Sequence, residues 1–177
     1  MDANVQKCVD KTLVFEGGLS NDPADPGGRT YKGVTQRVYD AYRVEKGLPK
    51  QDVALMSNDE CYDIYEHQYF IPTFAPSVDD IKCAWKMFDI GVNMGVSRSL
   101  KFTQSLIGVV ADGQFGQKSQ DALKEYQLTD GWADSMIHSL CTMQTQRYKD
   151  LVVANPSLQK FLVGWLRRAS DAGNGLE

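Results

Sequence analysis

The stretch VFEGGLSNDPADPGGRTYKGVT, from Val14 to Thr35, decides how the rest of the chain is read. It sets one glutamate, Glu16, against a glycine pair and follows it with Asn21, Asp22 and Asp25 among prolines and further glycines. Upstream, Val5, Cys8, Val9, Thr12 and Leu13 recur at helical spacing, and continuing that count places Glu16 on the same apolar face. Gly17-Gly18 then reads as the helix C-cap. Residues 19–34 are dense in Gly, Pro, Asn and Asp, the composition of turns framing a small β-hairpin over Gly28 to Val34.

A carboxylic acid held at a helix end against packed apolar groups resists ionising, because burial penalises its charged form. That suits a general acid working near neutral pH. A second carboxylate in a wet loop stays ionised, and such a pair fits glycoside hydrolysis. Asp25 and Asp22 follow Glu16 closely enough to return across a hairpin and face it, and Thr30 and Thr35 are placed to hold a water near the reacting carbon. On spacing alone the plainer reading is the stronger: a solvated Glu at a helix end, with Asp22 and Asp25 as Asx-turn formers beside Pro23 and Pro26.

Outward from this stretch the chain reads as helices. Thr35 N-caps a second helix to about Glu45, with Val38, Ala41 and Tyr42 inward. Ser57 to Glu60 is a capping box for a helix to about Tyr69, with Cys61, Ile64, Tyr65 and Gln68 on one face. A long segment from near Ser77 carries Ile81, Ala84, Trp85 and Phe88 and ends at Asn93-Met94-Gly95. Ser97 caps the next helix. An Asp112-Gly113 turn precedes another, with Ala122, Leu123 and Tyr126 inward. Residues 131–153 form a helix, and Pro156 starts the last one at its first position. The tail after Ala169 reads as polar and frayed. Trp85 and Trp165 sit on apolar stripes as core, and Trp132 is partly exposed.

The chain has 177 residues, a length that buries about 70% of the extended-chain surface without help from metals or disulfides. Its net charge of −4 argues against nucleic acid as a partner. Its apolar runs are too short for stable membrane insertion, and MDANVQKCVD lacks the pattern of a secretory signal. Cys8, Cys61, Cys83 and Cys141 lack metal-ligand spacing, so they read as buried reduced thiols, with one or two disulfides open in an oxidising compartment. His67 and His138 lack catalytic partners in sequence, and no metal or cofactor is implied.

The stretch from Glu16 to Thr35 resembles the N-terminal signature of glycoside hydrolase family 108, whose pattern is roughly E-G-G-Y-x-N-D-P-x-D-x-G-G-x-T-x-x-G-I-T. Leu19 stands for the usual Tyr and Val34 for the usual Ile. The segment FDIGVNMGVSRSLKFTQ resembles the family's later D-x-x-V-N-x-G element through Asp89, Val92, Asn93, Gly95 and Gln104. ADGQFGQKSQDAL resembles the D-G-x-x-G-x-x-T-x-x-A-L core of the peptidoglycan-binding region that usually follows, with Ser119 for Thr.

The resemblance implies a mainly α, lysozyme-like fold with a small β-hairpin region near residues 19–35. It implies a catalytic muramidase lobe over 1–96 and a helical peptidoglycan-binding lobe over 97–177, packed as one compact unit. It implies an N-acetylmuramidase with Glu16 as general acid, cleaving the β-1,4 bond between N-acetylmuramic acid and N-acetylglucosamine. Asp25 ranks first as the second group, followed by Thr30 and Asp22. Asp22, Tyr31 and Asn93 are the expected substrate contacts, Asn93 through the N-acetyl group or sugar hydroxyls. The expected partner is bacterial peptidoglycan, met by a monomer that is made in the cytoplasm and reaches the periplasm as an endolysin through a holin or another export route. A lytic transglycosylase and a non-catalytic wall-binding module are the competing readings.

Overall fold

The computed structural model describes residues 2–16, 18–19 and 29–177. The chain folds as two compact units, Met1–Gln68 and Tyr69–Glu177. The class is the expected one, mainly helical with a two-stranded hairpin.

In the first unit, α1 (Ala3–Leu13) starts at Asp2, whose carboxylate accepts from the Asn4 N–H at 2.8 Å. It buries Val5, Cys8, Val9 and Thr12, the expected stripe. The helix stops at Leu13 with Val14 as C-cap, ahead of the glycines expected to end it. The cause is a tightening of the last turn: Phe15 N–H bonds the Thr12 carbonyl at 2.9 Å, and Glu16 N–H bonds that of Leu13 at 3.2 Å. The hairpin pairs β1 (Thr30–Tyr31) with β2 (Val34–Thr35), Thr30 opposite Thr35 and Tyr31 opposite Val34.

Thr35 then caps α2 (Gln36–Glu45), its hydroxyl accepting from Val38 N–H at 3.3 Å. The inward face differs from the expected one. Ala41 is exposed and Val38 and Tyr42 are half-buried, while Tyr39 and Arg43 are the buried residues. Polar bonds turn the helix this way. Arg43 Nη1 donates to Glu60 Oε1 at 2.6 Å and to Tyr39 Oη at 3.0 Å, and its Nε donates to the Pro49 carbonyl. Tyr39 Oη donates to Glu60 Oε2 at 2.8 Å.

The capping box opens α3 (Asn58–Tyr65) as expected, with both reciprocal bonds of Ser57 and Glu60 in place. A π-helical turn over Glu66–Phe70 follows. It widens the spacing, so Cys61, Ile64 and Tyr65 are buried while Gln68, expected on their face, is exposed. Helices α1 and α3 pack together, and Tyr62 Oη donates to Asp10 at 2.7 Å between them.

The second unit centres on α4 (Ile81–Met94). It starts four residues later than Ser77, because Asp80 Oδ1 accepts from the N–H groups of Lys82 and Cys83, both at 2.9 Å. Residues Cys83 to Gly91 of α4 are all buried, with Trp85 at its centre. Around it pack α5 (Val96–Leu106) and α7 (Trp132–Ala154), with α6 (Gln117–Tyr126) in the same unit and α8 (Leu162–Ser170) against α7. Ser97 lies inside α5, whose N-cap is Gly95 at φ +91°, and so it is not the cap. Helix α7 buries Met136, Leu140, Gln144 and Tyr148, a row at four-residue spacing.

Charge lies at the middle of this unit. Arg168 of α8 grips Asp89 of α4 with Nε at 3.1 Å from each carboxylate oxygen and Nη2 at 2.8 Å from Oδ1. Lys86, fully buried, donates to the carbonyls of Arg168, Ala169 and Asp171 at 3.2, 3.0 and 3.0 Å. It thus satisfies the free carbonyls at the end of α8. Burial pushes its ammonium below its ordinary pKa. These bonds hold down the tail, which is therefore not frayed: Asp171 accepts from Gly173 N–H at 2.9 Å and Leu176 is buried. All four cysteines are free, three of them buried.

Candidate active site

Glu16 stands one turn beyond α1 and is half-buried. The i→i−3 bonds that end the helix carry it off the helix axis toward the hairpin turn. That turn consists of Lys32 (φ +49°) and Gly33 (φ +73°), both left-handed, as a type I′ connection requires. A Cβ built on Gly33 would lie 3.1 Å from Glu16 Oε2 and 3.4 Å from its Cγ, and would collide with Tyr65 Oη. The Glu16 carboxylate and the Tyr65 hydroxyl therefore share the space that Gly33 leaves open.

Two bonds pin the turn to α3. Tyr65 Oη donates to the Lys32 carbonyl at 2.9 Å, and Lys32 Nζ donates to Asn58 Oδ1 at 2.6 Å. Lys32 Nζ also lies 5.4 Å from the centre of the Tyr31 ring. Three elements thus meet at Glu16: the end of α1, the hairpin turn and the end of α3. A carboxylic acid fixed in this way can deliver a proton to an oxygen brought alongside it.

Of the other expected site residues, Thr30 and Tyr31 form β1 and are both half-buried on the hairpin. Asp22 and Asp25 lie outside the described residues. Asn93 belongs to the second unit, in the last turn of α4, where its Oδ1 accepts from Tyr148 Oη of α7 at 2.5 Å. Asp89, one turn earlier on α4, is taken up by Arg168.

Sequence reasoning missed Tyr65 and Gly33 as neighbours of Glu16. Tyr65 sits on the apolar stripe of α3 and is 2% exposed, so it reads as packing alone. The signal that could have found Gly33 is Tyr-Lys-Gly-Val, a hairpin turn that wants a left-handed residue at its second position.

The Asp112-Gly113 loop is braced from within. Gln104 Nε2 donates to Asp112 Oδ1 at 2.8 Å, the Gln114 carbonyl at 3.0 Å and Ser119 Oγ at 3.2 Å. Gln104 Oε1 accepts from Gly113 N–H at 2.8 Å. The Gln114 N–H, followed by Gln104, holds the Asp112 carboxyl below its ordinary pKa. A hollow of about 560 Å³ runs along this loop, between Val110, Gln114 and Lys118. Asp63, Glu66 and His67 bring ligand-type atoms within 4.8 Å of one another, but Asp63 is already paired with Lys46 at 2.7 Å and His67 at 3.2 Å.

Comparison with known proteins divides the chain further along than the two compact units do, between residues 95 and 98 and not after Gln68. The profile of the family described as glycosyl hydrolase 108 matches residues 9–95, and that of a predicted peptidoglycan domain matches residues 98–170. No curated protein matches the sequence. Among solved structures, the fold is shared with SagA of Brucella abortus. The TM-score is 0.72 at 24% identity, covering 96% of this chain and 91% of that one.

Proposed function

Because residues 9–95 belong to the glycosyl hydrolase 108 family and a predicted peptidoglycan domain follows, the chain is a glycoside hydrolase acting on peptidoglycan, and within that class we propose an N-acetylmuramidase. The bond cleaved is the β-1,4 linkage from N-acetylmuramic acid to N-acetylglucosamine, and Glu16 is the general acid. The observation that carries this reading is the placement of Glu16. It is the carboxylate of the E-G-G motif, and it is held between the end of α1, the Lys32-Gly33 turn and Tyr65.

Glu16 protonates the leaving glycosidic oxygen. A second group then handles the cationic sugar, by activating water, by stabilising charge or as a nucleophile. Asp25 is first choice for that role, ahead of Thr30 and Asp22, with Tyr31 and Asn93 as sugar contacts. Residues 1–96 carry the chemistry and 97–177 hold the wall, a division supported by where the two profiles end and begin. Beside a secretion-associated muramidase as the other role, the endolysin role is carried over with the likeness of Glu16–Thr35 to the family 108 signature. Its test is whether cells expressing the protein lyse only when a holin is co-expressed.

The enzymatic test is mass spectrometry of soluble fragments released from purified peptidoglycan by wild type and by Glu16→Gln. Fragments ending in reducible N-acetylmuramic acid, lost in the variant, are expected. Anhydro-muramic ends would move the assignment to a lytic transglycosylase. A fully active Glu16→Gln enzyme would sink the role given to Glu16. Asp25→Asn is expected to lower turnover more than Thr30→Ala or Asp22→Asn, and the reverse order would overturn the ranking.

A further inference from the structure

Asn93 lies at the mouth of a cavity of about 220 Å³ within the second unit. Aromatic rings form part of its lining. The Tyr148 ring stacks on Trp165 at 5.0 Å and Trp165 stacks on Phe161 at 5.7 Å. Met94 and Leu151 add apolar surface. Arg98 of α5 and Arg147 of α7 complete the lining, and both also line an adjoining hollow of about 360 Å³.

Among the described residues neither arginine has an ion-pair partner. Arg98 lies 6.0 Å from the centre of the Phe102 ring. Asp150, on the adjoining hollow, accepts from Gln146 Nε2 at 2.8 Å. The chain as a whole is acidic, at −4, so two unpaired arginines on one cavity do not reflect a generally basic surface. Two like charges drawn together without a carboxylate carry a repulsive cost that an anion would remove.

The other polar groups have the same sense. Tyr148 gives its proton to Asn93 Oδ1 and accepts from Gln144 Nε2 at 3.3 Å. The acceptors are thereby engaged, and the Asn93 amide N–H groups remain to donate outward. A donor-only rim with two guanidinium forks in front of an apolar wall is the complement of a carboxylate on a short carbon skeleton.

We propose that this cavity is a carboxylate-recognition subsite. Resting on the reading of the substrate as peptidoglycan, it takes a free carboxylate of the peptide stem. The glycan itself offers none there, because the lactyl carboxyl of a substituted muramic acid is tied up as an amide. The apolar wall gives the carbons beside the carboxylate a surface to cover, which a fully hydrated phosphate would not use.

The test uses the full chain carrying Glu16→Gln, so that ligand is not consumed. Calorimetric titrations compare a disaccharide–tetrapeptide with free carboxylates, the same compound amidated, the peptide-free disaccharide and inorganic phosphate. The free-carboxylate compound is expected to bind at least roughly tenfold more tightly than the amidated one, the worth of a charge-assisted pair. Arg98→Gln with Arg147→Gln should erase that difference and leave the peptide-free disaccharide unchanged. Circular dichroism checks that the double variant folds, and Arg147→Lys, which keeps the charge but not the fork, should lose only part of the preference. Equal affinity for carboxylate and amide in the parent, or an unchanged preference in the double variant, overturns the proposal. So does phosphate outcompeting the muropeptide at the two arginines. If the wild type releases no wall fragments yet the carboxylate preference and its loss are seen, the hydrolase reading fails and the subsite stands. If fragments are released but the preference is missing, the reverse holds.

Discussion

The Glu16 carboxylate rests on the bare Cα of Gly33: a methyl group there would lie 3.1 Å from Glu16 Oε2 and would overlap Tyr65 Oη. Gly33→Ala therefore costs more than a strained backbone. The matched control is Gly47, which has nearly the same φ, +68° against +73°, and nothing within 4 Å of the added carbon. Gly47→Ala is expected to cost only the left-handed penalty, about 1–2 kcal/mol. Gly33→Ala should lose more stability than Gly47→Ala and most of the wall-degrading activity. Thermal melts and turbidity assays on both variants check this, and equal behaviour would show that the contact with Glu16 is inconsequential.

Tyr65 acts on Glu16 through the turn. Its hydroxyl donates to the Lys32 carbonyl and occupies the same space above Gly33 as the Glu16 carboxylate. Tyr65→Phe keeps the packing of a side chain that is 2% exposed and deletes the part-buried hydrogen bond to the Lys32 carbonyl. About 1 kcal/mol of stability should be lost. Because the Glu16 carboxylate lies against the turn that this bond holds, kcat should fall while KM stays near its wild-type value. A fall in stability with kcat unchanged would make Tyr65 a structural residue only.

Local signals carried most of the fold. The Thr35 cap, the Ser57 capping box and the hairpin ahead of α2 each rest on a few neighbouring residues, and each is where the sequence puts it. The expectations that miss have two causes, bonds from far along the chain and local turns that break the regular helical count. Tyr39 and Arg43 turn inward on α2 because Glu60, far along the chain, is there to meet them. Gln68 faces solvent because a π turn breaks the helical count. At the site, the spacing put Glu16 on the apolar face at the end of α1 but favoured a solvated residue there, and only the E-G-G resemblance singled it out as an acid. Its contact with Gly33 and Tyr65 depends on how three elements fold together, which no periodicity encodes.

The Asp89–Arg168 pair joins α4 to the last helix with side chains that are 0% and 6% exposed. Removing one partner strands the other charge in the core. Asp89→Ala should destabilise the protein by about 3–5 kcal/mol. Replacing both, as Asp89→Leu with Arg168→Met, should recover much of that loss, since the penalty comes from an unpaired buried charge. Urea unfolding of the two variants measures the difference. Similar losses from both would show that the pair itself, and not the stranding, carries the stability.

The thiols should be slow to react in the folded state. Burial pushes Cys8 up to about 12 and Cys61 up to about 11, and raises Cys83 and Cys141 as well. At pH 8 an aromatic disulfide reagent should label the native protein slowly, Cys141 first because it is only half-buried, and label all four thiols quickly in urea. Rapid labelling of Cys8 in the native protein would contradict its burial.

Glu60 gives the fold a pH dependence of definite sign. Burial alone would raise its pKa, but bonds from the Ser57 N–H and hydroxyl and from Tyr39, with the charge of Arg43, outweigh it and hold the carboxyl below its ordinary value. A carboxylate depressed in the folded state contributes stability above its unfolded pKa, and that contribution is lost as the pH falls through its folded value. Asp63 is depressed in the same direction: burial raises it, and the bonds from Lys46 and Tyr42 more than offset this. Melting temperature should therefore hold steady near neutrality and fall as the pH drops below about 4.5, the ordinary value for a glutamate. Glu60→Gln should be less stable than wild type at pH 7, where Arg43 loses its partner, and should fall less steeply in acid. The two curves should converge at low pH, where the wild-type Glu60 is protonated too. Curves that run parallel across the whole range would mean that the Glu60 charge adds nothing to folding, and that Ser57, Tyr39 and Arg43 gain as much from a neutral partner.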